Sequence, residues 1–149
     1  MIDDARILKF NVHSDCRGHL TTIQGYKDIP FDIKRIFYLT FVPTNSLRGG
    51  HSHKSTDQVV IALSGSLKII INDGISARQI VLNRSDIGVF LPRMTWAVLN
   101  EFSTNAVCMV LANTSYDPSE YIRNWEEFLS IRGLPYTEEF IGYDYPILE

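Results

Sequence analysis

Arg48-Gly49-Gly50-His51-Ser52-His53, followed by Gln58-Val59-Val60-Ile61-Ala62-Leu63 and then Gly65, is the stretch on which the fold turns. The second run is dense in β-branched residues and is closed by a glycine, so it reads as a strand. On an extended His51-Ser52-His53, side chains at i and i+2 leave the same face, and two imidazoles enter one space. Such a pair suits a metal or proton transfer, and the residues around it decide which.

More strand signals surround this stretch. Arg35 to Val42 is rich in β-branched and aromatic residues and stops at Pro43. Ser66 to Ile71 leads through Asn72-Asp73-Gly74 into Arg78 to Leu82, a hairpin with a short loop. Ile87 to Leu91, Trp96 to Phe102 and Ala106 to Leu111 continue the pattern at the spacing of a sandwich or barrel. At the C-terminal end the signals change. Asp117-Pro118-Ser119-Glu120 predicts a helix start with a capping acid, and Ile122, Trp125 and Leu129 form an apolar stripe that Gly133 and Pro135 end. The segment 136–149 carries Tyr136, Phe140, Tyr143, Tyr145 and Ile147, and is expected to dock on its own barrel or on a partner subunit.

A chain of 149 residues with 45% hydrophobic content fits one globular domain, 1–149. A net charge of -3 without Lys/Arg runs argues against nucleic acid or a membrane surface as the main partner. Cys16 and Cys108 lie far apart with no CxxC spacing, and no leader or membrane-length apolar run accompanies them. A cytoplasmic protein with structural thiols is expected.

His51-x-His53, Gln58 and Gly65 resemble in spacing the first cupin motif, Gly-x5-His-x-His-x(3,4)-Glu-x6-Gly. Metal-binding cupins add that glutamate and a histidine from a second motif, to which Gly88, Pro92, Trp96 and Ala97 are similar in position. Here Gln58 stands for the glutamate and Ala97 for the histidine, so two of four ligands are missing. A metal-free pair is expected. Without a metal, the imidazoles are either satisfied core groups or acid/base groups. Burying both as filler would demand several hydrogen-bond partners, which favours proton relocation.

Over almost its whole length the chain resembles the nucleotide-sugar 3,4-ketoisomerases of the cupin superfamily, the WxcM-like sugar isomerases. The resemblance is carried by Asp15-Cys16-Arg17-Gly18, Ile29 to Tyr38, Arg48 to Lys54, Gln58-Val59, Gly65-Ser66, Trp96 and Tyr121-Ile122-Arg123. It implies an all-β, RmlC-like cupin fold, an antiparallel β-barrel or jelly roll with a C-terminal helix. It implies conversion of a dTDP-4-keto-6-deoxyhexose to its 3-keto isomer, without metal or other cofactor. By the same resemblance His51 handles the carbon-bound proton and His53 exchanges protons between oxygens, while Arg48, three residues before His51 and cationic at working pH, is expected to stabilise the enediolate. Arg17, Arg35, Tyr38 and Trp96 are the implied substrate contacts, and Arg17-Gly18 is similar to the branch giving the galacto product. Phe37 stands where other members have tyrosine. Family members are homodimers with exchanged N-terminal strands, which would help bury Ile7 to Val12. A sugar 3,5-epimerase shares the fold logic but needs a His-Asp dyad that is not evident here, and a non-catalytic nucleotide-sugar-binding cupin is the third reading.

Overall fold

The structure is a computed structural model that describes residues 2–140. Its strands are β1 Arg6–Lys9, β2 Val12–Asp15, β3 Gly18–Thr21, β4 Arg35–Leu39, β5 Arg48–His53, β6 Gln58–Ser64, β7 Leu67–Asn72, β8 Ala77–Leu82, β9 Ile87–Leu91, β10 Trp96–Asn100, β11 Val107–Ala112 and β12 Tyr121–Ile122. One α-helix follows, α1 Trp125–Ile131. The strands form two five-stranded sheets, β1-β9-β6-β11-β4 and β12-β5-β10-β7-β8, with β2 and β3 paired apart from both. The pairings between named strands are antiparallel, so the expected all-β architecture with a C-terminal helix is what the chain adopts.

The two sheets face each other across a core that takes Val60, Ala62, Val89 and Val110 from one and Ile69, Ile71, Ile80 and Leu99 from the other. Their outer faces are also covered. Phe10, Ile29 and Phe31 lie on Val59, Ile61, Phe90 and Leu111 of the first sheet, while α1 lays Trp125, Phe128 and Leu129 on Ile70, Trp96 and Val98 of the second. Cover on both sides explains why β6 and β7 read as almost continuous apolar runs where a half-exposed strand would alternate.

The helix begins later than the sequence predicts. Asp117 does cap a turn, accepting from Ser119 N at 2.9 Å, but that turn is a 3-10 helix ending at Glu120. Glu120 turns its carboxylate to Ser55 N and the Thr56 hydroxyl, at 2.9 and 3.0 Å. The chain then runs extended, pairing Tyr121 with His53 and Ile122 with Ser52, before Asn124 caps α1. Pairing with the open edge of β5 overrides the local helix signal. The end of the helix follows expectation, with Gly133 at φ 70° and Leu134 N donating to Leu129 O at 2.9 Å. Beyond it the chain stays on its own barrel, where Thr137 O accepts from Trp125 Nε1 at 2.7 Å and Phe140 packs on the α1 cluster. Tyr143, Tyr145 and Ile147 lie outside the described residues.

Candidate active site

Strand β5 carries the histidines, and its pairing with β10 decides where they point. His51 is opposite Ala97, and Ala97 packs against the inter-sheet core, so His51 and His53 face the barrel interior. Their rings meet edge to face with centroids 5.0 Å apart. Between Ala97 and Val98 the register shifts, because Gly49 is opposite Val98 and Gly50 is the extra residue. This is a bulge, and both glycines hold positive φ, 80° and 69°. Its consequence concerns Arg48. An unbroken strand would turn a residue three before His51 to the opposite face, whereas the bulge puts Arg48 opposite Leu99, on the inner side. Arg48 is exposed there and lowers the His51 pKa through its charge, as expected at the mouth of the barrel.

Alternation on β4 sends Arg35, Phe37 and Leu39 inward and leaves Ile36 and Tyr38 57% and 69% exposed. The Arg35 guanidinium carbon stands 5.3 Å from the Phe37 ring centroid and 5.6 Å from that of Tyr116, and its charge reaches His53. Tyr121 is the residue that sequence reasoning left without a role. Its ring centroid is 5.0 Å from that of His51 and 4.5 Å from that of His53, and the Arg123 guanidinium carbon lies 4.3 Å from the Tyr121 centroid. A two-residue strand is too short to leave a periodic signal, and both residues fell inside the segment read as helix.

His51, His53, Arg48 and Arg35 are therefore brought together, and the other implied contacts are not, within this chain. Tyr38 lies on the outer face of β4. Trp96 is on the side of β10 opposite Ala97, where it meets Trp125 and Phe128 and donates from Nε1 to Glu139 at 2.9 Å. Arg17 sits at the turn of the β2–β3 ribbon, paired with Asp15 at 2.5 Å, with 86% of its side chain exposed.

Behind the histidines is a cavity of about 20 Å³ whose lining includes His51, His53, Thr56, Gln58, Thr95 and Ala97. The positions that a cupin metal would draw on thus converge, but the donors there are two imidazoles and a neutral amide. No group of three His, Cys, Asp or Glu side chains converges among the described residues. That donor set does not fit a divalent transition metal, which normally takes three or four protein ligands.

The electrostatics favour neutral imidazoles. Burial pushes His53 down to about 4, with His51, Arg35 and Arg123 adding to the effect and Glu120 opposing it. His51 is also lowered, first by burial and then by Arg123 and Arg48, against the pull of the Gly49 backbone. Neither ring nitrogen of His53 has a hydrogen-bond partner among the described residues. A neutral imidazole can accept a proton, and one with both nitrogens free can accept at one and donate at the other.

Comparison with known proteins finds relatives over most of the chain. A family model described as FdtA: WxcM-like, C-terminal matches residues 3–133. The TDP-4-oxo-6-deoxy-alpha-D-glucose-3,4-oxoisomerase of Aneurinibacillus thermoaerophilus is 36% identical over 123 residues, covering 83% of this chain and 88% of that protein. Among solved structures, a mutant of the 3,4-ketoisomerase QdtA from Thermoanaerobacterium thermosaccharolyticum in complex with TDP-4-keto-6-deoxyglucose is 38% identical. It covers 88% of this chain and 95% of its own, with a TM-score of 0.85. The TDP-quinovose 3,4-ketoisomerase WlaRB from Campylobacter jejuni is 42% identical over 85% of this chain and 98% of its own, with a TM-score of 0.82.

Proposed function

Because the chain belongs to the FdtA/WxcM-like family, we propose that it is a dTDP-4-keto-6-deoxy-D-glucose 3,4-ketoisomerase built as a single cupin domain. The observation that carries this reading is the pair of low-pKa imidazoles, 5.0 Å apart, facing the barrel interior beside Arg35 and Arg48.

His51, less buried than His53, takes the proton from C3 of the sugar. Charge developing on O4 is stabilised by the Arg48 guanidinium, which the bulge turns inward. A His53 ring nitrogen takes the O3 proton and delivers it to O4, the two oxygens being neighbours on the sugar ring. His51 then returns its proton to C4, leaving the ketone at C3 and a hydroxyl at C4. Protons balance, and no redox partner or metal is required.

Reprotonation on one face of C4 gives dTDP-3-keto-6-deoxygalactose, and this is the product proposed here. The Campylobacter relative is named for quinovose, the 6-deoxyglucose configuration, so the assignment rests on Arg17 and not on overall identity. Arg17 reaches a sugar only if its ribbon is carried to another protomer. The ribbon supports that reading, since β2 is exposed throughout, Leu20 on β3 is 57% exposed, and a lone two-stranded hairpin is marginal in water. The assembly proposed is a homodimer that exchanges the β2–β3 ribbon. Strand β1 pairs with β9 within this chain, and the ribbon, which joins neither sheet, is the N-terminal element proposed for exchange. Tyr38, on the outer face of β4, is not proposed as a contact to the sugar held by its own barrel.

Among the described residues no helix is long and apolar enough to cross a membrane. The free cysteines, exposed Cys16 and buried Cys108, fit a reducing cytoplasm.

Incubation with dTDP-4-keto-6-deoxyglucose in deuterated buffer, followed by proton NMR, tests the reaction. A 3-keto product is expected, with deuterium at C4 only to the extent that His51 exchanges its proton with solvent before returning it. The H4–H5 coupling of product made in ordinary water reads the configuration. Exchange at C3 and C5 would identify an epimerase, and binding with neither isomerisation nor exchange a non-catalytic protein. His51→Asn is expected to abolish turnover while nucleotide affinity stays within a few fold; unchanged turnover would remove His51 from the mechanism.

A further inference from the structure

The segment from Asp117 to Arg123 crosses the histidines as a strap fastened to β5. Lys54 N donates to Glu120 O at 3.0 Å, the Glu120 carboxylate holds Ser55 N and Thr56, and Tyr121–Ile122 completes the sheet edge. Alternation fixes what this edge presents. Ile122 is fully buried in the α1 cluster, so its neighbours Tyr121 and Arg123 leave the opposite face, toward the imidazoles. We propose that Tyr121 and Arg123 are the positioning residues of the histidine pair. Tyr121 sets the orientation of both rings, and Arg123 seats Tyr121 while placing one positive charge common to both.

Three observations support this. The Tyr121 ring contacts both imidazoles at stacking distance, and a contact shared by two rings restricts each relative to the other. Arg123 sits over that ring at 4.3 Å, a cation–π separation. The charges around the pair also divide unequally. Arg48 on β5 acts on His51, while Arg35 on β4 and Glu120 on the 3-10 turn act on His53; Arg123 acts on both. Its removal therefore eases protonation of the two imidazoles together.

The assignment rests on the ketoisomerase reading, but its test has a readout that does not. In the full-length protein, imidazole titrations of His51 and His53 are followed by NMR in the parent, Tyr121→Leu, Tyr121→Phe and Arg123→Gln. Arg123→Gln is expected to raise both titration midpoints and to move the acid limb of kcat/KM to higher pH. Tyr121→Leu is expected to shift both imidazole resonances and lower kcat by on the order of 10²-fold with little change in KM, the penalty of misplacing reacting groups by about 1 Å. Tyr121→Phe keeps the ring and is expected to retain parental kcat and resonances. Parental kcat and resonances in Tyr121→Leu would overturn the proposal, as would a Tyr121→Phe variant as impaired as Tyr121→Leu, which would make the hydroxyl a chemical participant. A raised KM in Arg123→Gln with unmoved titrations would make Arg123 a ligand contact and overturn its positioning role. Absence of isomerisation in the parent would instead refute the proposed function, with the titrations still reporting on the pair. Arg123 is exposed, so its variant serves if Tyr121→Leu fails to fold.

Discussion

Substituting alanine at Gly49 and, separately, at Gly50 tests whether the bulge in β5 aims Arg48. Both glycines are left-handed, which costs an L-residue roughly 1–2 kcal/mol. Their surroundings differ. A Cβ on Gly49 would come 2.7 Å from Ala97 O, whereas one on Gly50 meets nothing within 4 Å. The Ala97 carbonyl belongs to β10, which is paired on both sides by β5 and β7 and cannot give way cheaply. Overpacking of this kind costs about 1–3 kcal/mol more. Gly49→Ala is therefore expected to lose about 2–5 kcal/mol and Gly50→Ala only the backbone part. For a 149-residue chain the first corresponds to a fall in Tm on the order of 10 °C and the second to a few degrees. Calorimetry measures both. Relief of the clash means reshaping the bulge, so Gly49→Ala should also lose Arg48's contribution, with kcat falling toward that of Arg48→Met, by about 10²-fold. Equal stability and equal kcat in the two alanine variants would refute the argument.

Four further outcomes are expected. Both imidazoles must be neutral to act as bases and both pKa values are lowered, so the acid limb of kcat/KM should fall below the ordinary histidine value of 6.5; a limb above 6.5 in a pH–rate profile would contradict this. The same shift affects stability. His53 titrates at 6.5 when unfolded and about 4 when folded, so its contribution is intact above 6.5 and lost as pH falls toward 4, on the order of 3 kcal/mol in total, read by urea titrations across that window. The double variant Gln58→Glu/Ala97→His places two further ligands in the cavity shared with His51 and His53, so zinc should raise its Tm but not the parent's, while parental activity survives a strong chelator; metal-restorable loss in the parent would overturn the donor count. Sedimentation should show a dimer, and a polar substitution at exposed Leu20 on the ribbon should weaken it; a parental monomer at micromolar concentration would leave the ribbon without its proposed role.

Much of the barrel was legible because strand signals are local. Ile87–Leu91 matches its predicted limits, and the Asn72-Asp73-Gly74 turn falls where expected, with Asp73 accepting from Ile75 N and Ser76 N at 2.9 Å. The Arg35 strand stops at Leu39 instead of Val42, and Phe41 takes a positive φ of 56°, a conformation its residue type does not announce. Of the site, the shared face of the histidine pair followed from strand spacing, and the loss of two metal ligands from the resemblance to the cupin motifs. Alternation separates Phe37 from Tyr38, but it does not say which of them faces the core. That choice depends on which face of β4 lies against the opposite sheet.

The sequence by itself thus determined that His51 and His53 share a face, that Gln58 and Ala97 accompany them, and that a β-rich domain with a C-terminal helix presents them. The first and last follow from the two-residue strand period and local helix signals, and the grouping of Gln58 and Ala97 with the pair from the resemblance to the cupin motifs. Only the tertiary structure decided that Arg48 joins the histidines, because the extra residue at Gly50 is defined against β10. It also brought Tyr121 and Arg123 onto the imidazoles, from a segment remote in sequence, through a two-residue strand whose stability comes from the edge it pairs with. Register and edge pairing are relations between distant segments, and no local pattern encodes them.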